Sequence, residues 1–234
     1  MSLEENVRLV REKMAAAARE AGRDPAEITL VAATKVQTDE TIRGVIAAGV
    51  TICGENRVQE MTAHLETDTY AGAELHFIGH LQTNKVRQVV GRVDLIESVG
   101  SEHLLNAVEK EAAKLNLVQD ILIEVNVGGE ESKSGVSPAQ VLELARTAAS
   151  LPHIRLRGLM AIPPVAGPDG NRGFFREMNQ LFVDIKREIV DNKSKINILS
   201  MGMSGDYEDA IREGATHIRV GTALFGARPP MGVK

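Results

Sequence analysis

The sequence has little of several residue types that mark particular classes of protein. Its 234 residues include one cysteine, Cys53, no tryptophan, and only 3% aromatic residues. A single cysteine excludes an internal disulfide framework, and no group of cysteines and histidines stands at the spacing of metal ligands. We therefore expect a protein of a reducing compartment, without a metal site.

Long apolar runs and an excess of positive charge are also missing. No apolar run approaches the length that spans a bilayer, and the first residues are charged, unlike the apolar core of a signal peptide. The net charge of −5 argues against binding to nucleic acid or to an anionic membrane surface. We expect a cytosolic protein whose ligand is a small molecule, with no nucleic acid or membrane as a partner.

Short β-type runs alternate with amphipathic helical segments along the whole chain, a pattern typical of repeated βα units around a parallel sheet. Apolar residues at helical spacing fill the gaps, and an extra helix is predicted over Leu3–Ala21. The pattern predicts a single α/β domain, a (β/α)8 TIM barrel with an extra N-terminal helix, and a doubly wound open sheet is the alternative. A loop is predicted over Pro163–Gly173. The predicted strands are Ile28–Lys35, Thr51–Glu55, Leu75–Gly79, Leu95–Val99, Asp120–Val127, Ile154–Ile162, Ile196–Met201 and His217–Leu224.

Lys35 ends the first predicted strand, after a run of small and β-branched residues. A lone ammonium at the end of a buried strand is costly unless a cavity receives it. A partly desolvated lysine amine loses its proton more readily and attacks carbonyls, so it forms Schiff bases with substrates or with pyridoxal 5'-phosphate (PLP). The alternative is a strand-end lysine that reaches into water, which for this residue alone is the commoner case.

Two turns of small residues follow the seventh and eighth predicted strands, where barrels commonly bind phosphate. The first runs from Ser200 to Asp206, and its Ser204 is placed to cap the helix that follows. The second runs from Arg219 to Gly226. Each turn alone is compatible with an ordinary structural role, but the two together predict an anion site that offers backbone N–H groups and hydroxyls.

Three further residues stand at predicted strand ends. Arg219 shares a strand face with His217, so we expect it at the barrel mouth, where it would donate to a pyridine nitrogen or form a structural salt bridge. Asn56 follows the second strand and could hold a ring substituent or cap a helix. Gln82 and Lys85 are candidates to guard the entrance. His80 has no partner visible in the sequence, and no catalytic residue is assigned.

The residues and turns described above belong to seven segments that resemble the YggS/PROSC-type pyridoxal phosphate homeostasis family. The segments occur in the family's order and extend over nearly the whole chain. The resemblance implies that Lys35 carries PLP as an internal aldimine, that Asn56 lies beside the ring and that Arg219 faces the pyridine nitrogen. It also implies phosphate binding by Ser200, Ser204, Gly221 and Thr222. His80 stands where many relatives have proline. The matching segments are Val31–Lys35, Gly54–Asn56, His76–Lys85, Asn126–Gly135, Gly158–Met160, Ser200–Asp206 and Arg219–Gly226.

The resemblance further implies a cytosolic monomer that binds and stores PLP, with apo forms of PLP-dependent enzymes as expected recipients and little or no catalysis. The family's barrel is similar to the N-terminal domain of alanine racemase, so a PLP-dependent amino-acid racemase lacking the second domain is the alternative. Racemisation needs an acid–base group on each face of the cofactor, and Tyr207 is the internal candidate nearest the phosphate loop. A barrel enzyme for a phosphorylated metabolite, without PLP, follows from the fold alone.

Overall fold

Eight parallel strands close into a barrel in chain order. The structure is a computed structural model that describes residues 2–130, 133–164, 170–190 and 193–226. The last strand pairs with the first, with Thr29 beside His217, so the barrel is closed and the open-sheet alternative is wrong. The strands are β1 Thr29–Ala33, β2 Ile52–Glu55, β3 Glu74–Phe77, β4 Leu95–Val99, β5 Gln119–Val125, β6 Ile154–Ala161, β7 Ile198–Ser200 and β8 His217–Val220.

Helices surround the barrel and one precedes it, as predicted. The first helix begins after Ser2, whose side chain accepts from the N–H of Glu5 while the Glu5 carboxylate accepts from the N–H of Ser2. No helix among the described residues is long and apolar enough to cross a membrane. The helices are α1 Leu3–Glu20, α2 Asp39–Ala47, α3 Val58–Glu66, α4 Glu102–Leu115, α5 Val141–Ser150, α6 Arg172–Glu188, α7 Tyr207–Arg212 and α8 Thr222–Phe225, with 3-10 turns over Pro25–Glu27, Thr83–Gln88 and Pro138–Gln140.

Six of the predicted strands end one to four residues earlier than the sequence pattern indicates, and the ends of β1 and β8 matter for the barrel mouth. The first ends at Ala33, so Lys35 lies in the turn that follows it. The eighth ends at Val220, because the chain turns at Gly221 and continues as α8. Both shortened ends place polar groups in turns at the barrel mouth rather than in the sheet. The loop predicted over residues 163–173 and the matching segment over residues 126–135 lie partly outside the described residues.

Side chains that point into the barrel form an apolar layer and, nearer the mouth, a polar one. The apolar layer contains Leu95, Leu122, Met160 and Ile198. Residues two apart on a strand share a face, so Glu97, Glu124 and Ser200 follow on the same inward side, and all three are buried. Polar side chains therefore lie directly beneath the carboxyl ends of the strands, where barrel sites are built.

Candidate functional site

Six of the seven predicted site residues line one cavity of about 280 Å³ at the barrel mouth. They come from the ends of β1, β2 and β8 and from the loop after β7. A larger groove of about 470 Å³ runs along α1 but is lined by none of the predicted site residues. The six residues are Lys35, Asn56, Ser204, Arg219, Gly221 and Thr222.

The turn that carries half-buried Lys35 is held on both sides. Before it, the Thr34 hydroxyl donates to Glu55 Oε1 at 2.6 Å, and the Thr34 N–H donates to the Gly54 carbonyl at 3.0 Å. After it, Val36 has the positive φ of 65°, and its N–H donates to Glu60 Oε2 at 2.9 Å. These contacts with β2 and α3 fix where the Lys35 side chain leaves the backbone.

Ser204 joins the loops after β7 and β8. Its hydroxyl oxygen accepts from the N–H of Gly221 at 3.3 Å and from the N–H of Ala223 at 3.2 Å. The expectation that Ser204 caps the helix that follows it, α7, is therefore wrong. The N-cap residue of α7 is Asp206. Its Oδ1 accepts from the Met203 N–H at 2.7 Å, and Ser204, which lies between these two residues, points towards α8.

Two glycines in these loops leave open space in the cavity. A Cβ on Gly205 would have no atom within 4 Å, and a Cβ on Gly221 would meet only Ala33, at an ordinary contact distance of 3.6 Å. Packing within the chain therefore does not require glycine at either position. A side chain there would occupy the cavity itself, so the glycines keep the backbone of both loops open to a ligand.

Arg219 is almost fully buried and is held by three strands. Its guanidinium donates to Ser200 Oγ at 2.5 Å and to the Ala161 carbonyl at 2.8 Å, and it lies 3.7 Å from Glu97 Oε2. Burial lowers the pKa of Arg219 and Glu97 opposes this shift. A guanidinium nevertheless keeps its charge in a protein. Arg219 is thus a fixed cation at the edge of the cavity.

Ser200 is the one predicted site residue that does not line the cavity. It is fully buried, and its hydroxyl accepts from Arg219 and donates to Glu97 Oε2 at 2.6 Å. This differs from the expected contact with phosphate, because the inward face of β7 directs the hydroxyl into the polar layer. In the structure Ser200 orients Arg219.

Glu97 connects Arg219 to two histidines deeper in the barrel. Burial favours the neutral form of Glu97, but His76, at 2.8 Å, and Arg219 outweigh it and lower the Glu97 pKa. Burial also opposes the charged form of His76, yet Glu74 and Glu97 raise its pKa. His217 stacks on His76 with ring centroids 6.2 Å apart, and burial lowers the pKa of His217 to about 4. Glu97 therefore stays ionised beside the guanidinium.

Asn56 carries a buried polar atom that the described chain leaves without a partner. Its Oδ1 is buried and accepts no hydrogen bond from any described residue. The backbone of Asn56 packs so tightly on Gly79 that a Cβ on Gly79 would lie 2.1 Å from the Asn56 carbonyl oxygen. The side chain at the cavity wall is therefore well positioned but lacks a donor, which a bound ligand can supply.

The predicted guard residues lie elsewhere. Gln82 and His80 line a separate cavity, and Lys85 lines neither of the two. His80 Nδ1 shares a 2.8 Å hydrogen bond with Ser134 Oγ from the loop after β5.

The sequence analysis missed Glu97 and His76, although charged and titratable residues within predicted strands were a visible signal. Within the described residues, no three His, Cys, Asp or Glu side chains are grouped to hold a metal ion.

The chain is similar to known proteins over almost its whole length. The family model described as alanine racemase, N-terminal domain, matches residues 2–229. A pyridoxal phosphate homeostasis protein of Aquifex aeolicus is 44% identical over 225 residues, which cover 96% of this chain and 97% of the relative. The structure of PipY from Synechococcus elongatus with PLP bound is 29% identical with a TM-score of 0.81, over 96% of this chain and 100% of PipY.

Alanine racemase itself is more distant. The Clostridium difficile enzyme is 15% identical with a TM-score of 0.72, and the match covers 98% of this chain but 59% of the racemase, so it shows a shared fold alone. The near-complete coverage by much closer relatives decides the assignment. The chain belongs to the pyridoxal phosphate homeostasis protein family, whose barrel is that of the alanine racemase N-terminal domain.

Proposed function

We propose that this protein binds PLP in the cavity at the barrel mouth and serves in intracellular PLP homeostasis, holding the cofactor as a Schiff base on Lys35. The observation that carries the proposal is that one cavity brings together the Lys35 amine, the small-residue loops after β7 and β8, and the buried cation Arg219. The relatives named for PLP homeostasis and the PLP-bound structure of PipY support it.

The residues present fit this group. The volume of about 280 Å³ is close to that of other small-molecule sites. The hydroxyls of Ser204 and Thr222 and the open backbone at Gly205 would hold the phosphate, because hydroxyls and exposed N–H groups bind anions. Gly221, whose own N–H donates to Ser204, would leave room for it. The unpartnered Oδ1 of Asn56 would accept from the ring hydroxyl.

When bound, PLP supplies an aldehyde that condenses with amines and a pyridine ring that withdraws electrons. Arg219 would weaken the electron-withdrawing property of the ring. A guanidinium only donates hydrogen bonds, so a ring nitrogen bound beside Arg219 would be kept unprotonated. Ser200 and Glu97 hold Arg219 in place for this role. Ser200 thus acts through Arg219, and contact with the phosphate is left to Ser204 and Thr222.

The cavity lining favours a binding protein over a racemase. Among the described residues that line the cavity, Lys35 and Arg219 are the only ones with an ionisable side chain. Tyr207 is buried outside the cavity, and burial raises its pKa to about 12. A second acid–base group opposite Lys35 is therefore missing from the described lining. We extend the proposal to a cytoplasmic monomer that passes PLP to apo forms of PLP-dependent enzymes.

The visible absorption spectrum after addition of PLP tests the proposal. We expect a band from the lysine-bound cofactor in the parent protein and in Lys110→Ala, a control at an exposed lysine of α4, but not in Lys35→Ala. No amino acid of a panel should be converted by the loaded protein. A band that survives in Lys35→Ala would contradict covalent attachment at Lys35, and steady turnover would favour the racemase.

A further inference from the structure

A second cavity, of about 490 Å³, opens beside the first, at the ends of β3, β4 and β5. Among the described residues, none lines both cavities. Glu124, Ser98, His80 and Gln82 contribute polar groups to the second cavity, and Leu81 and Leu104 contribute apolar surface. The volume is in the range of small-molecule sites. The proposed PLP site leaves this cavity unexplained.

Two buried polar atoms of this cavity have no partner among the described residues. They are Oε2 of Glu124 and Oγ of Ser98, and their residues are only 8% and 2% exposed. Burying an unpaired polar group destabilises the folded protein, and burying an unpaired charged group does so more strongly. Two such groups on neighbouring strands in one cavity are therefore an indication of a ligand that supplies the missing hydrogen bonds.

The backbone of two loops packs closely around Glu124 and fixes its position in the cavity wall. The loop after β5 returns to the strand, where the N–H of Val136 donates to the carbonyl of Glu124 at 3.0 Å. A Cβ on Gly100 would lie 3.3 Å from Glu124 Oε2 and 2.8 Å from the N atom of Gly135. Gly100 therefore permits the close approach of the Gly135 backbone, and a side chain at this position would collide with that backbone and crowd the Glu124 carboxyl.

The charges of the cavity select the class of ligand. Glu124 is the only carboxyl group among the described lining residues, and no lysine or arginine is among them. Arg219 attracts Glu124 at longer range, but its guanidinium donates to Ser200 and Ala161 and forms an ion pair with Glu97. A positively charged donor would therefore satisfy Glu124. A ligand carboxylate would find no cation in the lining.

We propose that this second cavity binds a small primary ammonium ion that also carries a hydroxyl group, with the ammonium on Glu124 and the hydroxyl on Ser98. An ammonium group has three N–H donors, of which one can bind the unpaired carboxyl oxygen of Glu124. The hydroxyl group of the ligand can either donate to or accept from the Ser98 hydroxyl. The apolar side chains of Leu81 and Leu104 flank the carbon chain. An amino acid is a poorer fit because its carboxylate lacks a partner.

Ethanolamine is the probe, with glycine and acetate as matched competitors. Titrations followed by the backbone amide signals of isotopically labelled protein near pH 7.5 should show saturable shifts at Gly100, Ser101 and Gly135 with ethanolamine. The titration is repeated in Lys35→Ala, so that an amine reacting with any aldehyde at Lys35 is not mistaken for binding here. Saturable shifts should persist in that variant.

Two substitutions in the cavity and one outside it complete the test. Glu124→Gln should weaken ethanolamine binding by about tenfold or more and Ser98→Ala by about threefold, while Glu143→Gln, on the exposed face of α5, should leave it unchanged. Thermal unfolding establishes that each variant is folded, and Ser98→Ala carries the test if Glu124→Gln does not fold.

Three outcomes would overturn the inference: no saturable shift with ethanolamine, equal binding of glycine or acetate, or undiminished binding in both cavity variants. The result is independent of the PLP proposal. Ethanolamine binding without a Lys35-dependent absorption band would count against PLP at Lys35 alone, and the reverse result would count against the second site alone.

Discussion

Individual side chains at the barrel mouth differ in how completely the protein satisfies their hydrogen-bonding groups. Arg219 has donors paired with a hydroxyl and a carbonyl and lies near a carboxylate. Asn56 Oδ1 and Glu124 Oε2 are buried without a partner among the described residues. A fully paired group mainly contributes structure, whereas an unpaired one lowers stability unless a ligand completes it. We therefore assign Arg219 mainly a structural contribution to the barrel mouth, and we assign Asn56 and Glu124 to ligand binding.

Asn56→Ala should therefore weaken PLP binding without lowering stability. Removing Oδ1 deletes an acceptor that we assign to the ligand, and we expect a dissociation constant about three- to tenfold higher. The free energy of unfolding in the absence of PLP should not fall. Absorbance titration and urea unfolding measure the two quantities, and exposed Asn84→Ala is the control. Loss of stability with unchanged affinity would assign Asn56 a structural role only.

Glu124 predicts an unusual dependence of stability on pH. Burial raises the pKa of Glu124 from 4.5 to about 7, and Arg219 offsets this only in part. Below the ordinary pKa the carboxyl is protonated in both the folded and the unfolded state. Between the two values the unfolded chain ionises first, so the contribution of Glu124 to stability falls as pH rises and then stays low.

Glu124→Gln removes this loss. The free energy of unfolding of the variant should match the parent near pH 4 and exceed it by up to about 3 kcal/mol near pH 8. Urea unfolding at both pH values measures the difference, with Glu143→Gln as the exposed control. A variant that is less stable than the parent at the higher pH would show that a partner within the protein stabilises the Glu124 carboxylate.

At the scale of the elements, close approach of strands fixes where the site residues lie. Gly158 in β6 has φ 147°, and a Cβ there would lie 1.8 Å from the carbonyl oxygen of Ile198 in β7. This contact sets the position of β7, which carries Ser200 and through it Arg219. The geometry of the cavity thus depends on a glycine that is not part of it.

Gly158→Ala should lower the free energy of unfolding by about 3 kcal/mol or more, because the strands must separate or the backbone must distort. The matched control is Gly173→Ala in α6, where a Cβ would meet no atom within 4 Å. That change should raise stability by roughly 0.5–1 kcal/mol, because alanine is the better helix former. Chemical denaturation compares the two, and equal effects would contradict the close approach.

At the scale of the whole molecule, charged groups of alternating sign extend inward from the cavity through the barrel. Arg219 lies beside Glu97, Glu97 bonds to His76, and His76 lies 3.8 Å from Glu74, whose side chain is 65% exposed. Buried charges are tolerated when each has an opposite neighbour. The interior of the barrel therefore holds Arg219 in place through an ordered series of ion pairs.

His76→Leu should lower the free energy of unfolding by about 3 kcal/mol near pH 6, because Glu97 keeps only the more distant Arg219 as a charged partner. The pKa of His76 is raised in the folded protein, so its contribution is complete below its ordinary value and is lost as pH rises through the folded value. Near pH 10 the difference should shrink. His103→Leu, on the exposed surface of α4, is the control for urea unfolding at both pH values.

Much of this architecture could be predicted from the sequence, because strands and helices leave local patterns. All eight strands and the N-terminal helix occur where periodicity indicates them, and six of seven proposed site residues line one cavity. The strand β8 was predicted too long because apolar residues such as Leu224 also suit a short helix. The strand β1 was predicted too long because Thr34 and Lys35 directly continue its run, although the backbone turns there. Ser200 was assigned to the cavity because spacing along a chain does not reveal which groups a closed barrel buries.

The sequence by itself determined the order of the elements, the family and the set of polar residues at strand ends, since each depends on local pattern or on motifs in series. Only the tertiary structure decided which of those residues share a cavity and that Ser204 serves α8 rather than α7. It also decided that Oε2 of Glu124 and Oγ of Ser98 are buried with no partner in the described part of the chain. The physical reason is closure of the barrel. Pairing β8 with β1 brings Arg219 beside Val31, although the two residues are far apart in the chain, and buries the Arg219 side chain.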